Sequence, residues 1–145
     1  LDGIAEFLTI FADKCHHGKE EDLLFPAMEA AGIPREGGPI GVMLAEHVQG
    51  RNIIKRLTAA VEGCQAQRSG AAAEFAAAAR DYAQLLSQHI QKEDHVLYPM
   101  AEGRFSPEKD AELVEAFEDL ERERIGPGKH EEFHALLHRL QSTYL

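Results

Sequence analysis

His16-His17-Gly18-Lys19-Glu20-Glu21, closing on Phe25-Pro26, and His89-Ile90-Gln91-Lys92-Glu93-Asp94, closing on Tyr98-Pro99, follow one pattern. In each, a His stands four residues before a Glu and ten before a Pro. If both stretches are helical, side chains at i and i+4 lie about 5–6 Å apart on one face, and each helix offers an imidazole and a carboxylate to one point. Such donors suit zinc, iron or manganese, and carboxylates from two helices can bridge a pair of ions. His16, Glu20, His89 and Glu93 are therefore read as metal ligands. Without a metal they would form a salt-bridged polar seam, costly to bury.

Outward from these stretches, Gly and Pro divide the chain into long helical blocks. Phe7, Ile10 and Phe11 carry helical spacing through the first block, predicted over about residues 2–31, with Gly32 as its stop and Pro26 as a bend within it. Pro39 opens a second helix, about 39–67, along Val42, Leu44, Val48, Ile53, Ile54, Leu57 and Val61. After Ser69-Gly70 an Ala-rich third helix, about 71–103, leads into His89. Ser106 and Pro107 start a helix of about 107–124, and Gly126-Pro127-Gly128 separates it from a last one, about 129–145. No run alternates as a strand does. The prediction is an all-α single domain over residues 1–145, an up-down bundle followed by a C-terminal helical pair.

Helices joined by short turns run antiparallel, so residues equally far from a turn meet. His47 lies 20 residues before Gln67 and His89 lies 18 after Ala71. The difference of two residues is about 3 Å along a helix. His47 thus joins the ligand set. His17, Glu21 and Asp94 each sit one position from a primary ligand, rotated by about 100°, and are read as additional or supporting ligands. Glu46 and His95 are read as supporting or solvent-facing, and Phe25 and Tyr98 as aromatic packing at the site's end of the bundle.

His130-Glu131-Glu132-Phe133-His134 matches the His-Glu-x-x-His pattern of zinc proteases. The other nearby His, His138, lies on the same predicted helix, and nothing in the chain offers a strand to hold a peptide. The motif is read as a polar helix face, and no catalytic residue is assigned.

Fifteen basic against 25 acidic residues give a formal charge of −10, which disfavours nucleic acid and anionic membranes as partners and favours cations. Two cysteines, Cys15 and Cys64, are too few for a disulfide framework and suit a reducing compartment. Cys15, next to His16, is read as a packing residue, with a soft ligand or redox thiol as the alternative. There is no membrane-length apolar run and no signal segment, and a cytoplasmic location is expected.

Three segments carry a family resemblance: Cys15 to Glu21 with Leu24-Phe25-Pro26, Met43-Leu44-Ala45-Glu46-His47 with Gly50-Arg51, and His89 to Asp94 with Leu97-Tyr98-Pro99. Through them the chain resembles the hemerythrin-like, or HHE cation-binding, family of four-helix bundles. The resemblance implies a non-haem di-iron centre, with His16, His47 and His89 as terminal ligands and Glu20 and Glu93 as bridges. It implies a function in binding or sensing oxygen, nitric oxide or redox state, or in handling iron. Arg51 stands where oxygen-carrying members have a second His, which points to the carboxylate-rich sensor and stress-response branch. The family's first helix, with its own ligand His, is expected upstream of Leu1. Otherwise the last helix would offer His130, His134 or His138, or a second copy would complete the bundle as a homodimer. The competing expectation is a metal-free or zinc-bound helical interaction module.

Overall fold

A computed structural model describes residues 2–126 and 128–144, apart from the side chains of Asp2 and Tyr144. Five helices make up the described residues, with no strand among them. Helix α1 covers residues 2–30, α2 Pro39–Gln65, α3 residues 71–102, α4 Pro107–Arg124 and α5 Lys129–Tyr144. The predicted boundaries differ from these by two residues at most where both ends are described.

The caps follow local chemistry. At the end of α1, Gly32 adopts φ 87°, its N–H donates to the Glu29 carbonyl, and the Ile33 N–H donates to Met28. This is the Schellman arrangement, which satisfies terminal carbonyls while turning the chain, and buried Ile33 packs back beside Met28. The same pair of bonds ends α2 at Gln67, where a non-glycine residue holds φ 54°. Ser106 caps α4 by accepting from the Lys109 N–H at 3.3 Å, with Pro107 in the first turn.

Neither Pro26 nor Pro99 breaks its helix. Each follows a wide π-helical turn, Glu20–Leu24 in α1 and Glu93–Leu97 in α3. A proline has no N–H to give, and its ring collides with the carbonyl four residues back. Widening the turn relieves that conflict. In both helices the residue before the proline donates five positions back, Phe25 to the Glu20 carbonyl and Tyr98 to the Glu93 carbonyl. A further π-helical stretch, Leu8–His17, precedes them in α1. The expected bend at Pro26 is thus a local unwinding.

Helices α1, α2 and α3 form the bundle, and α2 pairs with α3 along its length. Its core lies in two apolar clusters. Phe25, Met28, Ile33, Ile40, Met43 and Leu97 fill one, while Leu8, Ile53, Ile54, Leu57, Ala78 and Tyr82 fill the other. Helix α4 lies across the π-helical part of α1, and α5 packs on the start of α1 through Phe133, whose ring meets Phe7 and Phe11 edge-on at 5.6 and 5.8 Å.

Candidate metal centre

Between the two apolar clusters lies a polar layer. His17, Glu20, His47, His89 and Glu93 are all at least 96% buried, a density of ionisable groups that needs partners. One donor atom from each of Glu20, His47, His89 and Glu93 falls within 4.8 Å of the others, and His17, His47 and His89 form an overlapping set. Among the described residues, Glu20 Oε2, His47 Nε2, His89 Nε2 and Glu93 Oε1 are buried without a hydrogen-bond partner. His89 Nε2 and Glu93 Oε1 are 2.8 Å apart yet misaligned for a hydrogen bond. Two imidazole nitrogens and two carboxylate oxygens left unsatisfied at one point are the donor set of a transition-metal site.

The reverse sides of the rings explain their aim. His47 Nδ1 meets Glu21 Oε1 at 2.7 Å, His89 Nδ1 meets Glu46 Oε2 at 2.9 Å, and His17 Nδ1 meets Asp13 Oδ1 at 3.3 Å. A carboxylate that accepts a hydrogen bond from Nδ1–H holds the proton on that nitrogen and leaves Nε2 with a free lone pair, the arrangement found behind metal-bound histidines. The carboxylates are anchored in turn. Arg51 donates to Asp13 at 2.6 Å and to Glu21 at 2.8 Å, and Lys92 donates to Glu46 at 2.5 Å.

His16 borders the layer from a more open side, with 43% of its side chain exposed. Its Nε2 is 3.9 Å from Glu20 Oε2 and 3.7 Å from Glu93 Oε1, while Glu20 Oε2 is also 3.2 Å from His47 Nε2. Each carboxylate therefore stands between His16 on one side and a buried imidazole on the other. Tyr98 donates to Glu20 Oε1 at 3.2 Å. Beside His16, Glu20 and Tyr98 opens a cavity of about 340 Å³, walled mainly by Leu24, Phe105, Leu113 and Phe117.

Protonation follows from these contacts. Burial and the adjacent His47, stacked at 3.9 Å between ring centroids, push the His17 pKa down to about 3, so its imidazole stays neutral. Burial works against charge on His16 and His89. It is outweighed at His16 by Glu93 and Glu20, and at His89 by Glu93 and Glu46, so both imidazoles have raised pKa values. Burial would raise the Glu93 pKa, but His16 and His89 hold it well below the usual carboxylate range. Burial and the charges of Glu20 and Glu93 keep the Tyr98 phenol protonated.

The structure brings together His16, Glu20, His47, His89 and Glu93, the five residues read as ligands, with His16 at the rim. Of the three additional residues, His17 lies inside the layer, Glu21 supports His47, and Asp94 is exposed and outside the cluster. Glu46 supports His89, His95 is exposed against the Gln91 carbonyl, and Tyr98 is a hydrogen-bond donor besides packing. Asp13 was not read from the sequence. Its position one turn before His17 is the signal, because i−4 is the reach of a supporting carboxylate. Cys15 is buried, and burial raises its thiol pKa, which suits the packing role. His130 and His134 of α5 lie against Phe11 and Glu121, outside the buried layer.

An α-helical bundle enclosing a His and Glu cluster defines a cation-binding helical domain. The chain belongs to the hemerythrin HHE cation-binding domain family, whose sequence pattern matches residues 1–101. It is 28% identical over 126 residues to uncharacterised proteins of Mycobacterium bovis and of two strains of Mycobacterium tuberculosis, covering 87% of this chain and 49% of each relative. The chain thus spans about half the length of those curated relatives. No solved structure matches it. No helix among the described residues is long and apolar enough to cross a membrane.

Proposed function

We propose that this domain is a carboxylate-rich non-haem di-iron protein that binds or senses a small diatomic ligand, oxygen or nitric oxide, or responds to redox state. The observation that carries the reading is the set of four buried donor atoms, from three helices, with no hydrogen-bond partner. His47 and His89 would hold one ion with His17 alongside, and His16 would hold the other. Glu20 and Glu93, each standing between the two sides, would bridge them. Bound iron would supply reversible redox chemistry and an open position for the ligand.

The chain's own contribution is orientation and exclusion of water. Asp13, Glu21 and Glu46 fix the imidazoles, the flanking apolar clusters keep the layer dry, and the cavity at His16 gives a small apolar molecule a way in. Tyr98, held protonated, spends its one O–H on Glu20 Oε1 and so steadies that carboxylate on the cavity side. The location we assign is the cytoplasm, in keeping with two free cysteines.

Metal analysis with an optical spectrum of aerobically purified protein tests this. The expected result is about two irons per chain with charge-transfer bands. Zinc, or no metal, would overturn it in favour of an interaction module that keeps the fold without the redox chemistry.

A further inference from the structure

We propose that His130 and His134 form a second cation site, on the surface and separate from the buried layer, which takes one exchangeable borderline divalent ion of the Zn²⁺ class. The two side chains occupy i and i+4 on α5, so both rings point the same way from one face. Their Nε2 atoms are 2.8 Å apart. Behind them His130 Nδ1 meets Glu121 Oε1 at 2.8 Å, and the other oxygen of Glu121 is held by Lys19 at 2.5 Å. Phe11 stands edge-on to both imidazoles, at 5.5 and 6.5 Å between ring centroids.

This repeats the wiring of the buried centre. Glu121 accepts a hydrogen bond from His130 Nδ1–H, which leaves the Nε2 lone pair facing His134. The 2.8 Å contact then has His134 donating from Nε2–H, so a proton sits where the two ligands converge. A cation can take its place when His134 exchanges that proton through solvent for one on Nδ1, the other neutral tautomer, which frees the second Nε2 lone pair. Two nitrogens bound to one tetrahedral zinc at 2.0–2.1 Å stand roughly 3.3 Å apart, so the rings need part by only about half an ångström. The His130 side chain is 39% exposed and His134 is exposed, so water can complete the coordination and the ion can exchange. Neighbouring Glu131, exposed, adds negative charge that attracts a cation, while Glu132 is paired with Lys129 at 2.7 Å. With only two protein ligands from one helix, the site binds without the closed cage of structural zinc.

Equilibrium dialysis of the full chain against Zn²⁺, alongside His134→Ala, Glu121→Gln and His89→Ala, tests this. His134→Ala should bind one zinc fewer than the unaltered chain, and Glu121→Gln should weaken the same site by about 10–100-fold. His89→Ala should affect only the buried ions. The ring-proton resonance of His134 in the unaltered protein, followed through a Zn²⁺ titration, gives a readout that needs no variant. It should shift with the weaker binding step. An unchanged zinc count in His134→Ala, or a His134 resonance that stays still at saturating zinc, overturns the proposal. A drop in His134→Ala with none in His89→Ala would instead count against the buried centre.

Discussion

Each buried imidazole is turned by a carboxylate on its Nδ1 side, away from the converging Nε2 atoms, and this makes Glu21 and Glu46 as informative as the ligands. Glu46→Gln exchanges a charged acceptor for an amide at nearly constant volume. We predict a 10–100-fold loss of metal affinity with the fold kept, measured by competition with a chelator. His17 makes a separate prediction about the metal-free protein. Its pKa falls from 6.5 unfolded to about 3 folded, so between those values the unfolded chain binds a proton that the folded chain does not. Stability then falls as pH drops below 6.5, by up to about 1.4 kcal/mol per pH unit from this residue. His16 and His89, with raised pKa values, contribute stability that is fully present below 6.5 and lost as pH rises through their folded values. Glu93 acts the other way, its contribution being present above 4.5 and lost below it. Urea denaturation of metal-free protein at pH 6.5 and 4.5 should show the fall, and His17→Gln should flatten it. Equal midpoint shifts in both proteins would contradict this reading. At this scale the paired His and Glu residues were legible because their spacing is helical. His17 was harder to place, since two adjacent histidines on a helix differ by only about 100° and both flank the inward face.

The helices themselves were legible from Gly, Pro and apolar spacing, down to the Ser106 cap and the Gly32 stop. The π turns were not, because a proline within a helix signals disruption without stating which form it takes. The structure answers the same way twice: Glu20 and Glu93 supply carboxylates to the centre, and their backbone carbonyls accept the wide-turn hydrogen bonds that precede Pro26 and Pro99. Sequence and site are thus coupled through the ten-residue spacing of His and Pro. With Pro99→Ala the turn Glu93–Leu97 can close to α-helical form. Glu93 and His89 would then rotate relative to Leu97 and Ala101, which are fixed in the apolar cluster. Helical content by circular dichroism should hold or rise, while metal affinity falls on the order of tenfold, as when a supporting contact is lost. Unchanged affinity would show that the wide turn does not position the ligand.

At the scale of the whole molecule, one polar layer is held between two apolar clusters, which cover it at both ends and leave the His16 side open. Charged groups packed this way are costly unless paired. The chain pairs them outward, to Arg51, Lys92 and Tyr98, and leaves four inner atoms without partners. Net charge and composition in the sequence pointed to a cation, but convergence of the donors depends on how three helices are rotated against one another. Anomalous diffraction at the iron edge, from crystals of iron-loaded protein, measures that convergence directly. The account predicts peaks within bonding distance of His47 Nε2, His89 Nε2 and the carboxylates of Glu20 and Glu93. Peaks confined to surface acids, or no peak in this layer, would contradict it.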